Sequence, residues 1–152
     1  MRIFVLIFLI LFICGAGKYD QTNQLYSAEK VLINQKGSLF LKTRKEIVNY
    51  LNFVFNDSWF VSNFKISKPR IIKSEMPNWA YSIISGSGNR IAVPDTGCWN
   101  FNLLHEIAHL ATPHANHNKN FAKVELLLIE HFINANAANT LKESFKKNNV
   151  KF

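Results

Sequence analysis

Cysteine is scarce in this chain, which limits how the fold can be stabilised. Of 152 residues only Cys14 and Cys98 are cysteines, and Cys14 belongs to a hydrophobic leader. The single cysteine of the remaining domain excludes an internal disulfide there. Cys98 just precedes the most informative motif of the chain and is a conceivable metal ligand. Between Gly97 and Trp99, however, a small buried residue is the favoured interpretation.

Acidic residues are also few. The chain has 10 acidic against 18 basic residues, which gives a formal charge of +8. The basic residues are scattered, with small clusters at 42–45 and 142–151, so a solvated basic surface is the simplest interpretation. The charge also admits an anionic partner, either nucleic acid or a membrane surface.

Low-complexity segments and internal repeats are absent, as the counts of only six glycines and four prolines suggest. The phosphate-binding glycine loop is absent too, because the loop at 86–89 lies between predicted strands and opens no helix. A length of 152 residues with 48% hydrophobic content predicts one domain with its own core.

Long apolar runs are limited to residues 3–13, eleven residues that follow Met1-Arg2 and precede small residues at 15–17. This is the layout of a secretory signal, and eleven residues are too few to span a bilayer comfortably. We therefore expect a signal peptide or membrane anchor at 1–17, a domain at 18–152, and an exported or membrane-tethered protein. A start codon set too early in a cytoplasmic protein is the alternative.

The most informative stretch is His105-Glu106-Ile107-Ala108-His109, an H-E-x-x-H pattern with apolar flanks. Residues four apart share a helix face, so His105 and His109 can reach one metal ion. Glu106, one step round the helix, is placed to deprotonate a water as general base. The pattern predicts metal-assisted hydrolysis, with zinc as the expected metal.

A catalytic zinc site has three protein ligands and an open fourth position, so a third ligand should follow the motif. His117, eight residues after the second histidine, is the main candidate. Its rivals are His114, Glu125 and Glu130, and sequence alone leaves them open. Tyr81 and His114 are candidates for stabilising an oxyanion, and His131 is interpreted as a surface or satisfied histidine.

Hydrophobic periodicity, turn residues and caps predict a small sheet or hairpin before the motif helix and a helix after it. A capping box at Thr43 and Glu46 opens one of the helices. Helices are expected near residues 20–30, 43–56, 99–112 and 119–133 with a last amphipathic turn at 141–145, and strands near 39–41, 70–72 and, as a hairpin, 81–93.

Four segments together resemble a small metallohydrolase family of actinobacteria and their phages, related to the SprT-like minimal zincins. They are Tyr26-Ser27-Ala28-Glu29, Ile91-Ala92-Val93-Pro94-Asp95, the motif itself, and His117-Asn118-Lys119-Asn120-Phe121. The resemblance covers about residues 20–150. Asn118 replaces the glycine usual in that family, a mild change because asparagine also tolerates unusual backbone angles.

This resemblance implies an α+β, zincin-like fold, a zinc ion held by His105, His109 and His117, and hydrolysis. The expected enzyme is a zinc metallopeptidase acting on a protein or peptide, and the strand Arg90–Val93 is expected to pair an extended substrate at its edge. A SprT-like DNA-associated protease and a non-catalytic, zinc-stabilised binding module are the alternatives. The only methionines are Met1 and Met76, so there is no Met-turn.

Overall fold

The computed structural model describes residues 21–76, 79–86 and 88–152. The predicted leader at 1–17 lies outside these ranges. Within them the chain is α+β, as expected, and its elements follow one another in this order: α1 (Thr22–Glu29), a 3₁₀ helix (Lys30–Asn34), β1 (Phe40–Leu41), α2 (Arg44–Asn56), α3 (Ser58–Asn63), β2 (Arg70–Lys73), β3 (Tyr81–Ile83), β4 (Arg90–Val93), β5 (Cys98–Trp99), α4 (Asn100–Ala111), α5 (Lys119–Phe132) and α6 (Ala135–Lys147).

The prediction of export or membrane tethering is contradicted as far as the structure describes the chain. None of the helices in those ranges is long and apolar enough to cross a membrane. The longest of them, α5, has 14 residues. At about 1.5 Å per residue it reaches about 21 Å, short of the roughly 30 Å of a hydrocarbon core.

The main sheet has three strands in the order β2-β4-β3. The predicted hairpin is confirmed, since β3 pairs antiparallel with β4 and Tyr81 lies opposite Ala92. Strand β2 pairs with β4 in parallel. Strand β4 is therefore central, and the prediction that Arg90–Val93 pairs a substrate at a free edge is wrong. The edge strand beside α4 is β3.

Helix α4, which carries the H-E-x-x-H motif, lies in the middle of the packing. Its apolar residues Leu103, Leu104 and Ile107 are fully buried, and the helix contacts α2, α5, β3 and β5. It ends at Ala111, as Pro113 predicts. Asn118 then caps α5, because its Oδ1 accepts hydrogen bonds from the backbone N–H groups of Asn120 and Phe121.

Several helices match the predictions made from the sequence and others do not. The capping box of Thr43 and Glu46 opens α2 as predicted. Helix α3 was not predicted, and Asp57 caps it by accepting from the N–H of Phe60. Helix α6 is much longer than the expected turn at 141–145, because Asn134 starts a new helix instead of fraying the previous one. Two helices, not one, therefore follow the motif helix.

Helix α1 is attached to the end of the chain. The side-chain amide of Gln21 donates to the carbonyl of Lys151, and its oxygen accepts from the Lys151 N–H. The hydroxyl of Ser144 donates to the carbonyl of Ala28. These contacts, with the packing of α1 on α6, fix the side chains of α1 beside α4.

Candidate metal centre

Three histidine rings converge at one end of α4. His105 and His109 lie one turn apart on the helix, and His117 reaches them from the loop before α5. The Nε2 atom of His117 lies 3.1 Å from Nε2 of His109 and 3.2 Å from Nε2 of His105. The three residues form a group that could hold a metal ion.

The loop before α5 bends sharply to deliver His117. His114 and Asn116 both have left-handed backbone angles, with φ of 69° and 46°. The bend leaves His114 exposed, and Glu130 is exposed on α5, so neither of these rival ligands joins the group. The remaining rival, Glu125, is buried on the other side of the His105 ring.

The distances fit a small divalent ion. Zinc binds imidazole nitrogen at about 2.0–2.1 Å, and in a tetrahedral site this places ligand nitrogens about 3.3 Å apart. The observed 3.1 and 3.2 Å are close to that value. Imidazole ligands suit zinc but also copper, iron and nickel, so the geometry supports a metal without naming it.

The outer nitrogens of two of these rings are hydrogen-bonded. Nδ1 of His105 is hydrogen-bonded to Oε1 of Glu29 at 2.7 Å, and Nδ1 of His117 is hydrogen-bonded to Oγ1 of Thr22 at 2.8 Å. Donation from Nδ1 leaves the lone pair on Nε2 and fixes the ring orientation, the arrangement usual for metal-bound histidine. Both partners come from α1, and sequence reasoning gave neither a role.

Two carboxyl groups, Glu29 and Glu125, are buried behind His105, and their Oε1 atoms lie 2.7 Å and 3.4 Å from its Nδ1 atom. Burial raises the pKa of Glu29 to about 8, with a smaller contribution from the charge of Glu106. Burial, then the charge of Glu29, also raises the pKa of Glu125. At neutral pH the pair therefore retains a proton, which avoids two adjacent buried charges.

Glu29, His105 and Glu125 form a second group that could hold a metal ion. In this group the Glu29 oxygen and the His105 nitrogen are already joined by the 2.7 Å hydrogen bond. All three side chains are buried, whereas His109 and His117 are partly exposed. The triple-histidine group is therefore the more accessible of the two.

Glu106 is buried on α4, and its Oε2 accepts a hydrogen bond from the backbone N–H of Ser82 on β3 at 2.7 Å. Burial raises the pKa of Glu106, which makes its carboxylate a stronger base. Burial, with the nearby His105 and His117 charges, lowers the pKa of His109 to about 3. His109 is therefore a neutral imidazole near pH 7, the form that binds metal.

A cleft of about 800 Å³ opens over this end of α4. His105, Glu106 and His109 line it, together with Tyr81. Tyr81 thus lies in the same cleft as the candidate ligands, whereas the other suggested oxyanion group, His114, does not line it.

The remaining candidates have other surroundings. Cys98 is a buried core residue at the entrance to α4, as predicted. Burial, then the charge of Glu106, raises the pKa of its thiol to about 12. His131 stacks on Trp59 at a ring distance of 4.0 Å and contacts Asp57, so it is a satisfied histidine, as expected.

Comparison of the chain with protein-family models, with curated proteins and with solved structures found no match. What the structure supports directly is an α+β domain with a cluster of histidine and glutamate side chains that could hold a metal ion.

Proposed function

We propose that this protein is a zinc-dependent metallohydrolase, and more narrowly a zincin-like metallopeptidase of the kind that its sequence resembles. The observation that carries the proposal is the convergence of three imidazole Nε2 atoms on one point at the edge of a cleft. A carboxylate, Glu106, lines the same cleft. Three nitrogen ligands beside an accessible space are the pattern of a catalytic site.

His105, His109 and His117 would hold the ion. Zinc bound in such a site lowers the pKa of water to about 7 and polarises a carbonyl group. Histidine ligands without thiolates or additional carboxylates are well suited to zinc. Within the described part of the chain the cluster has three residues, not four, which favours a catalytic site over one that only holds helices together.

Glu106 would act as the general base. Its backbone follows a metal ligand directly, and Ser82 holds one carboxylate oxygen through a 2.7 Å hydrogen bond from the backbone. That contact fixes the side chain and leaves the other oxygen to accept a proton from the attacking water. The raised pKa of Glu106 matches this task.

A peptide is the favoured substrate because an edge strand borders the cleft. Among the described strands β3 pairs only with β4, and its residues Tyr81 and Ser82 line the cleft beside Glu106. Extended peptides bind such edges through backbone hydrogen bonds. Recruitment to nucleic acid, the alternative suggested by the charge of +8, stays a prediction.

The decisive experiment compares Glu106→Gln with the wild type. The variant keeps the size of the side chain but removes the base, so it should bind one zinc ion and lose about 10²–10⁴-fold in chelator-sensitive cleavage of an unfolded protein. Glu130→Gln, on the exposed side of α5, is the matched control and should retain full activity. Unchanged cleavage by Glu106→Gln would contradict the mechanism, and zinc binding with no cleavage by wild type would favour the non-catalytic module.

A further inference from the structure

We propose that the cleft beside the metal centre is a specificity site for one bulky aliphatic or aromatic side chain of an extended peptide, next to the bond that is cut. This inference rests on the proposed metallopeptidase function and adds a substrate class to it.

The first observation is the distribution of exposed apolar side chains. Ten large hydrophobic residues are exposed in the described part of the chain, and half of them line this one cleft: Tyr26, Ile33, Met76, Trp79 and Ile84. Single exposed hydrophobic residues are ordinary on protein surfaces, but a contiguous patch in a concave site marks a place where an apolar ligand binds.

The second observation is that the patch is continuous with the metal centre. The ring of Tyr26 stacks on that of His105 with the ring centroids 5.3 Å apart, and it also meets the ring of Trp79 edge-on at 6.5 Å. Trp99 and Phe101, stacked on each other at 5.8 Å, also line the cleft. A side chain held against this aromatic wall would lie beside the candidate ligands, so the adjoining peptide bond would be the one within reach of Glu106.

The charges in the cleft favour an apolar occupant. Lys30 is the only lysine or arginine among the lining residues, whereas the carboxyl groups are Glu29 and Glu106. Glu29 is directed to His105 and Glu106 to Ser82. An acidic side chain would therefore lie near the carboxylate of Glu106 and lose hydration without a matched set of donors.

The experiment measures binding separately from cleavage. Fluorescently labelled peptides of the form Gly-Gly-X-Gly-Gly, with X as Leu, Phe, Gly or Asp, are titrated into zinc-loaded Glu106→Gln protein and followed by anisotropy. We expect Leu and Phe to bind about ten-fold or more tightly than Gly, because burying one large apolar side chain contributes that much. Asp should bind no better than Gly.

Two further substitutions test the contribution of the aromatic residues that line the cleft. Trp79→Ala, in the same Glu106→Gln background, should reduce the Leu to Gly ratio by about three-fold or more. Phe53→Ala is the matched control, because Phe53 is 58% exposed, close to the 60% of Trp79, but does not line the cleft. It should leave the ratio unchanged.

The two proposals fail in different ways. Wild-type cleavage with no preference at the cut site, together with equal affinity for all four peptides, would overturn the specificity site and leave the peptidase intact. Selective binding of Leu and Phe without cleavage of any peptide would support the site and refute the peptidase. Binding too weak to detect for all four peptides would overturn the specificity site.

Discussion

At the scale of single residues, the two ring nitrogens of His105 make different contacts. Its Nε2 faces His117 at 3.2 Å, and its Nδ1 is held by Glu29 at 2.7 Å. Glu29 is the nearer of two carboxyl groups at this nitrogen, since Oε1 of Glu125 lies at 3.4 Å, so loss of Glu29 would weaken the restraint that directs Nε2 towards the other two rings. Glu29 is therefore a positioning residue and not a ligand of the triple-histidine centre.

This role predicts the behaviour of substitutions at Glu29. Glu29→Leu should weaken zinc affinity about 10–100-fold, the usual effect of losing the hydrogen-bond partner of a ligand. Glu29→Gln keeps an acceptor oxygen and should lose less. Affinity is measured by competition with a zinc chelator, with circular dichroism as the check on folding. Glu130→Leu, exposed on α5, is the control, and equal affinities for all four proteins would exclude the role.

The burial of Cys98 leads to a second prediction, which concerns the reactivity of its thiol. The side chain is only 3% exposed, and the pKa of its thiol is raised to about 12. Because the thiolate is the reactive form, Cys98 should not react with a thiol reagent at pH 8 in the folded protein, as measured in a Cys14→Ser variant in which Cys98 is the one remaining cysteine. After unfolding in guanidinium the residue should react fully within minutes. Rapid modification of the native protein would show that the β5 strand opens readily.

At the scale of elements, the loop between α4 and α5 determines whether His117 joins the cluster. Asn116 adopts a left-handed conformation with φ of 46°, which asparagine and glycine tolerate but β-branched residues do not. We expect Asn116→Val to lower the free energy of unfolding by about 1–2 kcal/mol and to weaken zinc binding. Asn116→Gly should stay within about 0.5 kcal/mol of wild type. Chemical denaturation measures both, and equal stability of the two variants would contradict this reading of the loop.

The elements that sequence predicted well are those with strong local signals. The capping box at Thr43, the alternating strand pattern before the motif and the helix stop at Pro113 all act within a few residues, and the structure has them. Helix α6 was underestimated because its first half, residues 135–140, is small and polar. The signal that starts it is Asn134, whose side chain accepts from the Ala137 N–H.

The contacts that sequence could not predict join distant parts of the chain. Thr22 lies 95 residues from His117, and Glu29 lies 76 residues from His105. No periodicity or local motif indicates which helix packs over which, so neither hydrogen bond could be inferred. For the same reason β4 was taken for an edge strand, since its parallel partner β2 is separated from it by the whole of β3.

At the scale of the whole molecule, the candidate metal centre is shared between separate parts of the fold. The candidate ligands come from α4 and the loop that follows it, and their hydrogen-bond partners come from α1, which is held by α6 and Lys151. Binding of an ion would therefore favour the folded arrangement of all these segments together, since the unfolded chain offers no such site. Zinc should raise the midpoint of thermal unfolding as its concentration increases.

The buried titratable groups around this site predict an unusual pH dependence for the folding stability of the metal-free protein. Burial keeps Glu29 protonated up to about pH 8, whereas its ordinary pKa is 4.5. Between these values the folded state binds more protons than the unfolded state, so stability should decrease as pH rises. His109 acts in the opposite sense: its pKa is lowered from 6.5 to about 3, so stability should decrease as pH falls below about 6.5. Between about pH 4.5 and 6.5 the His109 effect offsets that of only one carboxyl group, whereas the pKa values of Glu106 and Glu125 are also raised by burial. The metal-free protein should therefore be most stable near the lower end of this range, at about pH 4.5.

Denaturant titration at pH 5.5 and 8 in the presence of a chelator measures this directly. Metal-free protein should be less stable at pH 8, with a slope of at most about 1.4 kcal/mol per pH unit from Glu29 alone. Glu29→Gln has no carboxyl group to bury and should show a smaller loss. Zinc-loaded protein should lose less stability than metal-free protein on going to pH 8, because the ion binds neutral imidazoles and its affinity increases as protons are removed. If metal-free protein proved more stable at pH 8 than at pH 5.5, the buried carboxyl pair behind His105 could not hold its proton as described.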